Sequence, residues 1–352
     1  MRLVAYFCIQ HMDSLTQIVL GAACGEAVLG KKIGNRALLF GAIGGTIPDL
    51  DVFVGNMLYS NQIDAMLFHR GFMHSFFFAI LGAFVFGLIT YQLYNTKKRL
   101  GSTNLKNWIV FYVWTLSTHM MLDAFTPYGT QLFAPFSSYR VAFNNISVVD
   151  PLYTVPFLVS LIILMFFSRD DERRRKWLKI GLSLSSAYML FTIANKLYVD
   201  TIFKNTLKEK QINYKRFSLQ PSLLNTILWY GIAETDSTFQ VGYYSHLDSK
   251  KEFSDWHVFQ KKQDIDIAKN DQLASLAWFS NDYFSIERTA NNTYYYTDLR
   301  YPVIKREDSY EPVFFFELYR NRSNRFDMKP FDSEQNDFGY VLQTIWQRLK
   351  GK

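Results

Sequence analysis

The sequence predicts a mostly α-helical, polytopic membrane protein: a helix bundle of about six spans, followed by a small β-rich or α+β domain outside the cytoplasm. Long uncharged runs occupy the first 200 or so residues, and short aromatic and β-branched runs occupy much of the rest. The first pattern is typical of membrane helices and the second of strands. We therefore divide the chain into a helical membrane domain at 12–198 and an extracytoplasmic soluble domain at 199–352.

Six segments are apolar enough to count as spans. Residues 75–96 and 151–168 contain no Asp, Glu, Lys or Arg over 22 and 18 positions. A transmembrane helix needs roughly 20 mostly apolar residues. Four shorter segments complete the set: 14–23, 37–48, 107–122 and 180–195. For the first two of these, a full crossing, a re-entrant path and burial among neighbours all stay open.

The basic residues predict the orientation, because short loops rich in Lys and Arg stay in the cytoplasm. This composition is found in three alternate loops, at 31–36, 97–106 and 169–176, and not in the loops between them. The N-terminus, the loops 55–74 and 124–150, and everything after residue 200 are then expected to face outward.

The charge and cysteine content narrow the function classes. The formal net charge is +7, which can indicate nucleic-acid binding. Much of the excess lies in loops expected in the cytoplasm, so we expect no nucleic-acid partner there. Two cysteines, Cys8 and Cys24, exclude a disulfide-stapled fold. The first eleven residues lack a signal-peptide cleavage pattern, so Met1 and Met12 both stay open as the true start.

Polar motifs at the outward ends of the segments contain the candidate ligands. Histidine and carboxylate are the usual ligands of zinc and similar cations. His119 and Asp123 lie four residues apart, on one face of a helix. We expect both to bind a metal. Alternatively, His119 binds it and Asp123 orients the imidazole of His119. The alternative is a polar pair at a helix interface.

His69 and His74 flank Arg70 and Gly71. A turn at Gly71 would let both histidines point to one site, so both are candidate metal ligands. Arg70 would then meet a phosphate or carboxylate of the substrate, as a candidate catalytic residue. The alternative is an interfacial loop in which Arg70 snorkels to the membrane surface.

Carboxylates supply the other candidates. Asp49 and Asp51 follow Pro48, and two neighbouring carboxylates repel unless a cation lies between them. We favour Asp49 over Asp51, as a ligand or a catalytic base, although helix-end hydration explains either. Asp13 is a candidate ligand that helix-dipole stabilisation explains equally well. Asp150, before Pro151, is a candidate catalytic residue or a helix cap.

Three more polar residues stand near these candidates. Gln17 lies four residues after Asp13 and can offer a carbonyl oxygen or a hydrogen bond, but it is a poor zinc ligand. Arg140 could help to bind an anion. Glu26 lies near Lys31 and Lys32, where we expect a structural ion pair.

The motifs together resemble the YdjM-type family of bacterial membrane-bound metal-dependent hydrolases. The resemblance covers roughly residues 12–195, and the tail, with INYKRF and VGYYSHLD, looks like the extra domain of longer members. It is carried by MDSLTQIVLGAACGEAVLG, GAIGGTIPDLDVF, HRGFMHS, STHMMLDAFTPYGTQLFAPFS and VDPLYT. It implies the bacterial cytoplasmic (inner) membrane, and a distant similarity to zinc-dependent phospholipase C and P1-type nucleases.

The resemblance also implies site residues and a cofactor. Clustered His and Asp would hold zinc for phosphodiester cleavage, which by motif points to Asp49, His69, His119 and Asp123, with His74. Many relatives have a histidine where this chain has Gln17, so one or two metal ions are expected rather than three.

The expected function is that of a hydrolase at the outer membrane face. A metal-activated water would attack a phosphodiester or another ester of a lipid or envelope substrate. Membrane lipids are the expected partners. Two alternatives stay open: a transporter or metal-handling membrane protein, and a non-catalytic envelope protein with a structural metal. The one-sided placement of the polar motifs argues against an ion path.

Overall fold

A computed structural model describes residues 14–261, 265–289, 291, 293–306, 309–329 and 338–352. Asp13, one of the candidate ligands, lies outside the described residues, as do both possible start methionines and Cys8.

The helical part begins with a tight hairpin. Helix α1 (Ser14–Ile33) packs along α2 (Asn35–Thr46) through glycines on both helices. A Cβ atom at Gly21 would lie 2.3 Å from the carbonyl oxygen of Gly41, so only glycine allows this approach. The close contact places the start of α1 beside the end of α2.

Short elements connect this hairpin to the longer helices. A 3-10 turn at Pro48–Leu50 leads into α3 (Asp51–Leu58) and α4 (Gln62–Phe68). A second 3-10 turn, Phe72–His74, precedes α5 (Phe76–Tyr94). Ser75 caps α5 by accepting a hydrogen bond from the amide of Phe78 at 3.1 Å.

Three helices complete this part. They are α6 (Leu105–Phe125), α7 (Pro151–Met165) and α8 (Glu172–Glu209). The Asp171 side chain caps α8. Since α8 has 38 residues, it is about 57 Å long. Its last turns pack into the second half of the molecule through Val199 and Phe203, so α8 runs through residues 198 and 199, and that domain boundary stays a prediction.

The expectation of about six spans is wrong. Among the described residues, two helices are long and apolar enough to cross a membrane, α5 and α8. The helix pair Asn35–Thr46 and Pro48–Leu58, bent by 41°, adds a third if it forms one broken span.

The error comes from reading uncharged runs as helix lengths. The run 151–168 holds a helix of only 15 residues, about 22 Å, against a hydrocarbon core of about 30 Å. Helix α6 buries His119 and Asp123 among its neighbours, and α1 ends in Lys31 and Lys32. An uncharged run therefore does not give the length or the hydropathy of the helix that forms on it.

The second half is β-rich, as the aromatic runs predict. It contains two four-stranded antiparallel sheets, whose neighbouring strands follow the order 216–221, 228–234, 238–245, 254–260 in one and 326–328, 315–320, 294–298, 284–288 in the other. The first sheet contains β1 (Arg216–Pro221), β2 (Leu228–Glu234), β3 (Thr238–Ser245) and β4 (Ser254–Gln260). The second contains β5 (Phe284–Arg288), β6 (Tyr294–Asp298), β9 (Phe315–Arg320) and β10 (Phe326–Met328). A hairpin of β7 (Val303–Arg306) and β8 (Ser309–Pro312), and helices α9 (Asp271–Phe279) and α10 (Phe338–Leu349), complete it.

The β-rich part packs on the loops that lead to the polar motifs. Ile63 and Met66 of α4 belong to one hydrophobic core with α9 and the second sheet. The side chain of Asn61 donates to the carbonyl of Phe326 at 2.7 Å, and the amide of Gln62 donates to Asp327 at 2.8 Å. These contacts fix the position of α4, whose last residue, Phe68, precedes His74 by six residues.

Candidate metal centre

Four elements bring the polar motifs together. The 3-10 turn after α2 supplies Asp49, and the 3-10 turn before α5 supplies His74. Helix α6 supplies His119 and Asp123 from one face, as their spacing predicts. The four side chains offer donor atoms that all lie within 4.8 Å of one another, so the structure positions Asp and His groups to hold a metal ion.

The spacing of these donor atoms is nearly uniform. The Nε2 atoms of His74 and His119 are 3.2 Å apart, and each lies 3.3 Å from Asp123 Oδ2. Asp49 Oδ1 lies 3.4 Å from His74 Nε2 and 3.5 Å from His119 Nε2. A tetrahedral zinc ion with bonds of about 2.0–2.1 Å needs donors about 3.3–3.4 Å apart. We call these four side chains the donor set.

The imidazoles are oriented for metal binding by their other nitrogens. His119 Nδ1 donates to the carbonyl oxygen of Gly45 at 2.6 Å, and His74 Nδ1 lies 3.0 Å from Asp51 Oδ2. When each ring is neutral with its proton on Nδ1, both Nε2 atoms direct lone pairs toward each other. A cation between them relieves the repulsion.

Asp51 orients the histidines from behind the donor set. Its Oδ1 lies 2.7 Å from His69 Nδ1, and its Oδ2 accepts from the backbone amide of Arg70 at 2.9 Å. Asp51, His69 and His74 form a second group of possible ligands. Since both oxygens of Asp51 already have partners, we assign it the orienting carboxylate of a carboxylate–histidine–metal arrangement. His69 lies in this second group and outside the donor set.

Arg70 adopts a strained backbone conformation beside the donor set. Its φ of 57° lies in the left-handed region that non-glycine residues rarely adopt. Its guanidinium donates to Thr126 Oγ1 at 2.7 Å and lies 3.4 Å from Asp123 Oδ1. The side chain therefore neutralises Asp123 in this structure, and its contact with a substrate anion stays a prediction.

The charge balance fits a divalent cation. Asp49, Asp51 and Asp123 contribute three negative charges and Arg70 one positive charge, all within this buried cluster. With neutral imidazoles the cluster has a formal charge of about −2, and an uncompensated buried charge is very costly. Asp123 Oδ2 is buried, and no described group donates a hydrogen bond to it. The residues present thus fit the expected ion.

The same negative field acts on His74. Burial lowers the pKa of its imidazole, but Asp51 and the hydrogen bonds to Asp49 and Asp51 outweigh burial, so the net pKa is raised. This is the field that would attract a cation.

Asp49 is the least buried member of the donor set. His74, His119 and Asp123 are buried, whereas the Asp49 side chain is 12% exposed. Asp49 is therefore the member of the donor set closest to the protein surface.

Other candidates lie apart from the donor set. Asp150 caps α7 by accepting from the amide of Leu152 at 3.0 Å, and it accepts from the Tyr188 hydroxyl at 2.8 Å. Burial raises the pKa of its carboxyl. It lines a narrow pocket with Gln17 and Asp123, but it does not belong to either group of possible ligands, and its catalytic role stays a prediction.

Arg140 and Glu26 have structural partners. The Arg140 guanidinium lies 5.2 Å from the Tyr128 ring centre and 5.1 Å from that of Phe279, and burial lowers its pKa to about 10. Glu26 pairs with Arg174 at 2.6 Å rather than with Lys31 or Lys32.

The sequence did not predict several contacts of the site. Gln17, set aside as a poor ligand, donates to Asp123 Oδ1 at 2.8 Å and to the carbonyl of His119 at 3.2 Å. The carbonyl of Gly45 orients His119, and a backbone atom leaves no trace in side-chain patterns. Tyr128 packs against His69 at 5.4 Å and against Phe279 of α9 at 5.1 Å, which links the site to the β-rich part.

Asp51→Asn tests the orienting role. We expect metal affinity to fall about 10- to 100-fold with the stoichiometry retained, because such partners raise ligand basicity and orient the ring. Metal titration of the purified protein measures it, with the exposed Asp170→Asn as control. Unchanged affinity, or complete loss of the ion, would contradict the assignment.

Two comparisons with known proteins found matches to this chain. A family model described as "YdjM inner membrane protein" matches residues 12–199. The uncharacterised protein YfhP of Bacillus subtilis (strain 168) is 28% identical over 165 residues, 43% of this chain and 46% of the relative, so the chain spans about half the length of the curated relative it matches. No solved structure matches. The expected similarity to phospholipase C is not shown by these comparisons. The family match covers more than half of the sequence and every residue of the donor set, and the chain therefore belongs to the YdjM inner membrane protein family.

Proposed function

We propose that the protein is a membrane-bound, metal-dependent hydrolase that cleaves a phosphodiester, or another ester, of a lipid or envelope molecule. The donor set is the observation that carries the proposal, because its spacing and charge suit one zinc ion. When bound, such an ion lowers the pKa of a coordinated water to about 7 and polarises the oxygen under attack.

The donors divide into two roles. His74, His119 and Asp123 are buried and would hold the ion, which matches the three protein ligands of catalytic zinc sites. Asp49 is the partly exposed donor, and no described group donates a hydrogen bond to its buried Oδ2. We assign it the general base. The water oxygen bonds to phosphorus, the ester P–O bond breaks, and the proton taken by Asp49 passes to the leaving alcohol.

The surroundings of Asp49 favour a lipid substrate. Leu50 and Phe53, directly after it, expose about half of their surface, and Met57 is 86% exposed. A second apolar surface, the phenylalanine patch, lies around the start of α5 close to His74. It consists of Phe72, Phe76, Phe77, Phe133 and Phe136. Exposed apolar surface of this extent marks a membrane or ligand contact, so a head group could reach Asp49 from the bilayer.

The location at the outer face is part of the proposal. Helix α8 begins after Arg169 and contains Arg173, Arg174, Arg175 and Lys176 in its first turns, and such residues favour the cytoplasm. If α8 crosses once, the β-rich part and the donor set lie on the opposite, outer side.

Turnover of a lipid phosphodiester tests the proposal. Zinc-loaded wild-type protein in mixed micelles should release diacylglycerol or a phosphate monoester from phosphatidylglycerol, phosphatidylethanolamine or phosphatidylcholine. Asp49→Asn should keep its metal and lose most activity, since general-base catalysis contributes about 10²- to 10⁴-fold. The remote His246→Ala should behave like the wild type.

Two outcomes would contradict the proposal. One is a metal-loaded wild type that cleaves none of these lipids and no simple ester. The other is activity that His119→Ala retains.

A structural metal is the second candidate function. The observation that favours it is the number of donors, since four protein donors close the shell of a structural zinc site. Asp49→Asn decides between the two: loss of the metal indicates a closed structural site, and retention indicates an open position.

A further inference from the structure

A basic cleft lies at the end of the helical part remote from the donor set. It is formed between the end of α1 and the start of α8, and its volume is ≈ 670 Å³. Gln17, which contacts Asp123, and Lys31, which lines the cleft, are 14 residues apart on α1. They are therefore about 21 Å apart along the helix axis, which separates the cleft from the metal centre.

The floor of the cleft is a satisfied ion pair. Arg174 donates to both carboxylate oxygens of Glu26, at 2.7 and 2.6 Å. Its remaining nitrogen donates to Asn35 Oδ1 at 2.7 Å and to the carbonyl of Phe167 at 3.1 Å. Because both charges are paired and buried, the floor is rigid and electrically neutral.

The walls, in contrast, have unpaired positive charge. Four basic side chains line the cleft without forming an ion pair in the described part of the chain: Lys31, Arg175, Lys176 and Lys179. Two acidic lining residues are already paired, Asp170 with Arg169 at 3.5 Å and Asp171 with Arg173 at 2.8 Å. Glu172 is the remaining acidic residue of the lining, so positive charge prevails.

Apolar surface adjoins the basic walls. Phe166, just after α7, is 83% exposed, and Leu182 follows Lys179 by one turn of α8 and is also exposed. From there α8 continues as one of the two candidate spans. A ligand in the cleft would thus meet cations at one end and an apolar helix surface at the other.

We propose that this cleft binds the phosphate group of an anionic membrane lipid, whose acyl chains lie along α8. Basic pockets beside membrane helices attract anionic head groups. The apolar surface favours a lipid over a free phosphate, because a free phosphate has no acyl chains to contact it. The lipid is a bound ligand of this second site and not a substrate, because the cleft lies at the opposite end of α1 from Gln17, which contacts the donor set. The inference does not depend on the hydrolase proposal.

The proposal is tested by measuring lipid binding to the whole chain in detergent. Native mass spectrometry and thermal-shift titration would compare phosphatidylglycerol, phosphatidylcholine and inorganic phosphate. Phosphatidylglycerol should bind in preference to phosphatidylcholine, and millimolar phosphate should not displace it. The double variant Lys176→Gln with Lys179→Gln should weaken binding at least tenfold, since each basic residue near a membrane surface contributes about fivefold.

A matched control separates the cleft from general surface charge. Lys97→Gln with Lys98→Gln removes the same charge from exposed residues outside the cleft and should change binding by less than about twofold. Equal weakening by both double variants would overturn the proposal, as would equal binding of the two lipids. Displacement of the lipid by free phosphate would overturn the lipid assignment. These lipid-binding measurements require neither a bound metal nor hydrolytic activity.

Discussion

Replacing His119 or Asp123 by alanine is expected to abolish metal binding to the purified protein. Each substitution removes one of the three buried members of the four-residue donor set, so the remaining donors no longer surround the ion. Wild-type protein should contain about one divalent ion per chain, measured by elemental analysis after detergent purification. Added zinc should raise its thermal midpoint, since an ion at 100 times its Kd stabilises by about 2.7 kcal/mol.

The control for this experiment is His246→Ala. His246 lies in the β-rich part and stacks on Tyr198 at 5.9 Å, with no carboxylate in an ion pair with it in the described part of the chain. It should keep the wild-type metal content. An absence of metal from the wild type after reconstitution with zinc and manganese would remove the basis of the hydrolase and structural-metal proposals together.

Glu26→Gln is expected to destabilise the protein by about 3–5 kcal/mol, because it leaves the Arg174 guanidinium buried without its counter-charge. Both side chains of this pair are nearly inaccessible to solvent, so water cannot screen the loss. Thermal unfolding in detergent should show a midpoint lower by several degrees.

The matched control replaces both partners. Glu26→Met with Arg174→Met removes both charges and should cost less than Glu26→Gln alone, since apolar replacement of a buried pair is often neutral. A single variant as stable as the wild type would show that the pair does not hold α1 against α8.

Much of the candidate site could be predicted from sequence. The i, i+4 spacing of His119 and Asp123 predicts a shared helix face, and the structure places both donors there. Family membership, inferred from the same motifs, is confirmed over residues 12–199. The division between His74, in the donor set, and His69, held by Asp51, could not be predicted, because it depends on the path of the turn between them.

The number of spans, in contrast, could not be predicted from the sequence. A run without charges records that a segment avoids water, but it does not distinguish lipid from protein as the surrounding medium. Helix α6 contains His119 and Asp123 and buries about half of its residues, because it packs against α1, α2 and α5. By the length and composition of the folded helices, two remain candidate spans among the described residues, or three with the bent pair.

The sequence by itself determined which residue types are available for a metal site, the family, and the β-rich character of the second half. These follow from local spacing and composition, which survive any packing. Only the tertiary structure decided which donors converge, how Arg70 and Gln17 contact Asp123, and how long each helix is. Those depend on distances between residues far apart in the chain, such as Gly45 and His119, which no local pattern encodes.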